Sequence, residues 1–351
     1  MSAELAFIAA IAWLGSAVLT GLVRRFAVTH GLLDVPNARS SHLTTTPRGG
    51  GLAIVVMLSV AICVLEWSKS LPASLFWVFM IGGTAVAAIG FVDDYRSASP
   101  ALRLIVHVSA AAWAVLLIGG PRLPEIGVYG PELGWVGAAL STVGIVWVLN
   151  LFNFMDGIDG IAAIEAVFVA TSGSVLTLLG AGPHAVTVLG LILGAAALGF
   201  LVWNWPPAKI FLGDTGSGYL GYMIAVLALA SARTNPTALW TWLILGGAFF
   251  VDATFTLLRR VSRGERVYQA HRTHAYQLLA RRWASHRRVT LAVTLVNLVW
   301  LLPLAMLTVR YPQRAPWIAL VALLPLVAIA GAAGAGRAAS ADTEPREPHA
   351  S

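Results

Sequence analysis

The chain has 351 residues, of which 58% are hydrophobic and only 11% charged, and its mean hydropathy is +0.79. A soluble domain carries roughly 25% charged residues, so a soluble enzyme is excluded and a polytopic membrane protein is implied. The formal net charge of +7 then points to cytoplasmic loops that meet anionic lipid or phosphate groups, and no nucleic-acid partner is expected.

Crossing a hydrocarbon core ~30 Å thick takes about 20 apolar residues in a helix. Eleven runs qualify or come close, at roughly 3–23, 50–66, 73–92, 101–119, 135–152, 161–180, 185–203, 216–232, 237–258, 289–309 and 316–336. The second and eighth are short or glycine-rich. The expected fold is therefore an all-α polytopic membrane protein with about eleven transmembrane helices. Residues 1–336 form one integral membrane domain, and 337–351, small, polar and proline-containing, form a disordered cytoplasmic tail. Glu4 precedes the first apolar run and Arg24 and Arg25 follow it, unlike a secretory leader. The lone cysteine, Cys63, lies in an apolar run and is expected to be a small core residue, with no disulfide framework. Between the fourth and fifth runs, GPRLPEIGVYGPELG (120–134) suggests a hairpin.

Charge sets the orientation. Of the 23 Lys and Arg residues, 18 fall in loops on the side of Arg24. The positive-inside rule then puts the N-terminus outside, the C-terminus inside and the motif-bearing loops on the cytoplasmic face. Most of the acids thus meet most of the bases at one membrane surface.

The chain centres on LNLFNFMDGIDG, residues 149–160. Asn150, Asn153, Asp156 and Asp159 recur every three residues, a step that drifts about 60° on an α-helix, so they cannot share one helical face. Gly157 and Gly160 suggest that the helix opens into a loop there. Two carboxylates and two amides at an unwinding helix end suit a metal ion or polar ligand, or else form a short solvated loop. Asp156 is grouped with candidate catalytic residues and Asn150 with substrate-binding ones.

Four other stretches carry chemistry. In GLLDVPNARSSHLTTTPRGGG (31–51), Asp34, Pro36 and Asn37 are turn formers, while Arg39, His42 and Arg48 suit phosphate. The three glycines either admit a ligand or pack helices. FVDDYRS (91–97) sets Asp93 and Asp94 side by side, a repulsive pair that a divalent cation or a cationic ligand would offset. Arg103 lies close enough in sequence to face the same site. FLGDTGSGYLGY (211–222) places Asp214 in a glycine-rich turn, with Phe211 three residues ahead, where a ring can stack on a base. In the basic loop 259–288, His271, Arg272 and His274 can line a diphosphate. Asp252, inside the preceding span, has no evident partner and is assigned no role.

Taken in order on alternate loops, DVPNARSSH…TPRGGG, DDYRS, NFMDGIDG, FLGDTGS and HRTHAYQ resemble the polyprenyl-phosphate N-acetylhexosamine-1-phosphate transferase superfamily over about residues 30–280. The spellings are closest to the bacterial branch that begins O-antigen and related surface glycans, distinct from the lipid-I-forming translocase and the eukaryotic dolichol-phosphate enzyme. The resemblance implies that a polyprenyl phosphate, expected to be undecaprenyl phosphate, attacks the β-phosphate of a UDP-HexNAc in a bacterial inner membrane and releases UMP. It implies Mg²⁺, with Mn²⁺ able to substitute, held by Asp214 with help from Asn153. Phe211 matches the uracil-stacking position and Asp159 the residue near the base edge. Asp93 matches the acid that deprotonates or orients the lipid phosphate, with Asp94 beside it. Arg103 and the HRTH run match groups that meet the diphosphate. HRTH and Ser97 depart from the translocase spellings, which argues against a lipid-I product. The family also admits membrane lipids and a homodimer as partners.

The acceptor is a phosphate monoester with a second pKa near 6. It is mostly dianionic at neutral pH, so alignment and charge neutralisation matter more than a strong base. A transporter for an anionic substrate is the alternative from another class; the absence of an internal repeat and the placement of every motif at one surface weigh against it.

Overall fold

The computed structural model describes residues 3–35, 44–120, 122–124, 129–132, 134–265 and 271–337. Asn37, Arg39, His42 and nearly all of the expected tail lie outside the described residues. Thirteen helices follow in order among the described residues. They are α1 (Ala3–Thr29), α2 (Gly51–Trp67), α3 (Ala73–Tyr95), α4 (Pro100–Ile118), α5 (Gly134–Met155), α6 (Ile161–Leu179), α7 (His184–Asn204) and α8 (Gly213–Thr234). Then come α9 (Ala238–Leu245), α10 (Gly247–Val261), α11 (Ala275–Trp283), α12 (His286–Arg310) and α13 (Pro312–Ala333). Two short antiparallel ladders, β1 (Leu33–Asp34) with β2 (Thr46–Pro47) and β3 (Arg122–Pro124) with β4 (Tyr129–Glu132), complete the described elements. The second is the hairpin expected in 120–134.

Every apolar run read from the sequence is helical, and the chain is an all-α polytopic membrane protein. Among the described residues nine helices are long and apolar enough to cross a membrane. Two runs differ from expectation. Helix α2 has 17 residues, short of the usual crossing length. The run at 237–258 is broken into α9 and α10, which meet at 76°. The break falls at Gly246–Gly247, where no side chain holds the turn straight, and the Phe250 ring occupies the space a Cβ on Gly246 would need.

Helices α1 and α8 stand at opposite ends of burial. In the apolar 18-residue stretch of the more apolar α1 only 17% of residues are buried, whereas in that of the less apolar α8 94% are. Side chains that face lipid must be apolar, while a helix enclosed by protein is freed from that demand. The small residues of GDTGSGYLGY let neighbouring backbones approach α8. A Cβ on Gly51 of α2 would overlap Gly216 of α8, so these two helices cross backbone to backbone. Tyr222 of α8 donates to the Val78 carbonyl at 3.1 Å, fixing α8 against the π-helical turn Val78–Gly83 within α3.

Cys63 corrects one expectation: it is exposed, not a core residue. It lies on the outer side of α2 near Val56, Val60 and Val64, which are also exposed, and faces where lipid would be.

Candidate active site

The motif-bearing ends converge at one end of the bundle. Helix α5 ends at Met155 and the chain opens into the loop 156–160, as the three-residue polar spacing requires. Asn150 and Asn153 therefore stay on the helix, and Asp156 and Asp159 sit on the loop.

Asp93, at the end of α3, accepts from Arg103 Nη1 at 2.7 Å and from the Ala98 backbone N–H at 2.6 Å. The same Nη1 lies 3.4 Å from Asp214 Oδ2. Asp214 Oδ1 accepts from Asn153 Nδ2 at 2.9 Å, and Asn153 also donates to Ser217 Oγ at 3.0 Å. The carboxyls of Asp93 and Asp214 lie within hydrogen-bonding reach of each other. Asp214 is the more open of the two, its side chain 36% exposed against 12% for Asp93.

Asp94 is differently placed. Its carboxylate accepts from the backbone N–H groups of Asp214 (2.9 Å) and Thr215 (3.0 Å) and from Thr215 Oγ1 (2.7 Å). It caps the first turn of α8 from a neighbouring helix, satisfying donors that a helix start leaves without intrahelical partners. Gly213 makes room for it: φ is +76° there, and a Cβ would stand 2.5 Å from Asp94 Oδ2.

Asp159 is also engaged. Oδ2 accepts from the Ala208 N–H at 3.1 Å, and Oδ1 lies 3.3 Å from His286 Nδ1. It fastens the 156–160 loop to the 205–212 loop and to α12. The 205–212 loop carries Phe211, whose N–H donates to the Pro47 carbonyl at 2.8 Å and whose carbonyl accepts from Gly50 at 2.9 Å. The Phe211 ring is half-buried beside the start of α2. Arg48 pairs with Asp34 at 2.8 Å and is close enough to Asp94 to act on it electrostatically. Asn150 donates to the Val146 carbonyl of its own helix at 2.7 Å.

The basic segment divides. His271 and Arg272 are half-buried, whereas His274 is buried, stacked on His271 at 4.8 Å between ring centroids. Asp252 of α10, which the sequence left without a role, caps α11. It accepts from the Ala275 and Tyr276 N–H groups at 2.8 and 2.9 Å and lies 3.6 Å from His274 Nδ1. Tyr276 donates to the Phe154 carbonyl at 3.0 Å, docking this segment beside Asp156. Burial, followed by the charges of His274 and Arg260, lowers the His271 pKa to about 4. Its imidazole is then neutral at physiological pH.

Burial pushes the Asp156 carboxyl well above the usual carboxylate range, and the charges of Asp214, Asp94 and Asp159 add to it. Acids crowded beside so few cations suit a divalent ion. Among the described residues no group of three or more His, Cys, Asp or Glu forms a ready-made metal cage. Mg²⁺ does not require one, since it is commonly held by one or two carboxylates, substrate phosphates and waters. Asp214, with the Asn153 amide and Asp156 nearby, is a donor set of that kind. Sequence reasoning missed Thr215, Ser217, Tyr276, Asn204 and His286 as its supports. Asn204 Oδ1, for example, accepts from the Gly160 N–H at 3.0 Å. Hydroxyls, amides and an aromatic residue in apolar runs carry no signal of their own.

A membrane bundle that gathers carboxylates, an arginine and a neutral histidine at one end has the chemistry to meet phosphates next to lipid. Comparison with known proteins agrees. Residues 76–232 match the model of glycosyl transferase family 4. A probable undecaprenyl-phosphate N-acetylglucosaminyl 1-phosphate transferase of Bacillus subtilis (strain 168) is 30% identical over 291 residues, covering 81% of this chain and 79% of the relative. A decaprenyl-phosphate N-acetylglucosaminephosphotransferase of Mycobacterium tuberculosis (strain CDC 1551 / Oshkosh) is 28% identical, covering 83% and 80%. A phospho-N-acetylmuramoyl-pentapeptide-transferase of Moorella thermoacetica is 30% identical, covering 77% and 87%. The chain belongs to the polyprenyl-phosphate N-acetylhexosamine-1-phosphate transferase superfamily.

Proposed function

We propose that the chain transfers HexNAc-1-phosphate from a UDP-sugar to undecaprenyl phosphate, giving undecaprenyl-diphospho-HexNAc and UMP. On this reading it is a Mg²⁺-dependent enzyme of a bacterial inner membrane that initiates a cell-surface glycan. The chain crosses the membrane eleven times, counting α2 and the broken α9–α10 pair, with the N-terminus outside and the site on the cytoplasmic face. The observation that carries the reading is the Asp93–Arg103–Asp214–Asn153 constellation at the start of α8.

The acceptor phosphate oxygen forms a bond to the β-phosphorus of the donor, and the bond from that phosphorus to the bridging oxygen breaks, so that UMP leaves with its electron pair. Asp93 is hydrogen-bonded to Arg103 and orients the incoming phosphate through it; the second pKa near 6 leaves little proton to remove. Arg103 offsets the charge of the approaching anions with its remaining N–H donors. Asp214 and Asn153 would hold Mg²⁺, which would supply further neutralisation of the diphosphate. Phe211 stacks on the uracil, Asp159 lies at the base edge, and His271 donates as a neutral ring to the diphosphate beside Arg272.

The test uses purified protein in detergent with undecaprenyl phosphate and Mg²⁺. UDP-GlcNAc, UDP-GalNAc and UDP-FucNAc are offered separately, with UMP release as the readout and an EDTA control. UDP-GlcNAc comes first, because the relatives' names carry N-acetylglucosamine. Lipid- and Mg²⁺-dependent UMP is expected from one donor, and Asp214→Ala is expected to abolish it without unfolding the protein. Full turnover in Asp214→Ala would remove that residue from the site. No UMP with any donor from folded protein would favour the transporter.

A further inference from the structure

One half-buried polar group on a membrane-spanning helix stands outside this machinery. On α4, Arg103, His107, Ala110, Ala111 and Ala114 recur at three- and four-residue steps and share a face. Ala110, Ala111 and Ala114 are buried, whereas Arg103 and His107 are only half-buried. The face therefore changes from open to sealed just past His107. The His107 ring lies within electrostatic reach of both Arg103 and Asp93. Among the described residues it takes part in no hydrogen bond. An imidazole about 10 Å along a membrane-spanning helix without such a partner is costly, and such groups mark ligand paths.

Depth identifies the ligand. Arg103 and Asn153 both touch the Asp214 carboxylate, which sets a common level for α4 and α5. From that level His107 lies four residues deeper on α4, about 6 Å. Asn150 lies three residues deeper on α5, about 4.5 Å, and these two helices pack together. A water-borne nucleotide sugar has no need of polar groups beneath the carboxylates. A lipid phosphate that enters from the bilayer passes that level before it reaches Asp93.

We propose that His107 binds the phosphate of the polyprenyl acceptor on the face of α4 beneath Arg103, donating a hydrogen bond from its imidazole to a phosphate oxygen. This rests on the reaction proposed above and adds to it a residue that determines acceptor affinity.

Three variants of the full chain test it: His107→Ala, His107→Leu, which loses the donor but fills the space, and His107→Gln, which restores an N–H donor of similar reach. Each is compared with wild type by thermal midpoint, by KM for undecaprenyl phosphate and for the UDP-sugar, and by undecaprenyl-phosphate occupancy in native mass spectrometry without nucleotide. Loss of a hydrogen bond to a charged group predicts a rise of about tenfold or more in acceptor KM for Ala and Leu. Lipid occupancy should fall with it, donor KM should stay within about twofold, and Gln should recover most of the loss. Unchanged acceptor KM and lipid occupancy in folded His107→Leu would overturn the assignment, as would a rise in donor KM alone. If wild type released no UMP yet bound undecaprenyl phosphate in a His107-dependent way, the transferase reading would fail and the lipid-phosphate site would stand.

Discussion

The placement of Asp94 leads to a prediction that separates two roles an acidic pair can play. Its carboxylate accepts three hydrogen bonds from Asp214 and Thr215 at 2.7–3.0 Å, so Asp94→Ala strands three donors at the start of the most enclosed helix. A fully buried orphan donor costs about 1–3 kcal/mol, and removing a helix cap typically costs about 0.5–2 kcal/mol. Asp94 is only half-buried, so water can reach some of these donors, and we take about 2–3 kcal/mol for the set. With an unfolding entropy of roughly 2.1 cal/mol/K per residue, a chain of 351 residues should lose about 3–4 °C in its thermal midpoint. Activity should fall as well, because Asp214 occupies the turn that is no longer held. The assay is thermal unfolding in detergent, followed by intrinsic tryptophan fluorescence, alongside UMP release. Asp94→Asn, which keeps one acceptor oxygen, should fall between. An Asp94→Ala protein with an unchanged midpoint and no turnover would refute the capping role and make Asp94 a ligand or reactant. An unchanged midpoint with full turnover would refute both.

Two further outcomes follow from the packing and the electrostatics. Gly51→Ala puts a methyl group into the backbone crossing of α2 and α8. Overpacking of about 1–3 kcal/mol is expected, seen as a lower midpoint and reduced turnover; wild-type behaviour in both would mean that the crossing is loose. His271 has a folded-state pKa of about 4 against an ordinary 6.5. Below 6.5 the unfolded chain therefore binds the proton that the native one refuses. This contribution to stability is present above pH 6.5 and is lost as pH falls toward 4, so His271→Asn should flatten the midpoint-against-pH curve in that interval. A curve identical to wild type would show that His271 titrates normally.

Much of this was legible in the sequence because lipid makes composition informative. Eleven apolar runs became helices, and the motif loops came to one end because alternate connections of a polytopic bundle must. The hairpin at 120–134 and the unwinding after Met155 were legible for local reasons, namely turn residues and a three-residue polar step. What stayed hidden was tertiary. The bend at Gly246–Gly247 depends on the Phe250 ring filling the space beside it, and the exposure of Cys63 depends on which side of α2 the bundle leaves uncovered. An aspartate that caps a distant helix looks, in sequence, the same as one that waits for a ligand.

That last distinction sorts the acids at this end of the molecule. Asp94, Asp159 and Asp252 each accept backbone N–H groups from another element and so hold α8, the 205–212 loop and α11 in place. Asp93, which also accepts the Ala98 N–H of the loop that follows it, Asp156 and Asp214 form the other set. Asp93 and Asp214 are bridged by a single guanidinium, and Asp156 is pressed from two sides by burial and by its acidic neighbours. The two sets are interleaved along the chain as adjacent or near-adjacent pairs, Asp93 with Asp94 and Asp156 with Asp159. Within each pair Asp94 or Asp159 holds the backbone of another segment, while Asp93 meets Arg103 and Asp156 lies among the other acids. A rigid cap next to such a carboxylate limits how far that carboxylate can retreat from its neighbours. On the proposed function, the bonds that fold this end would also favour a cation and a diphosphate there.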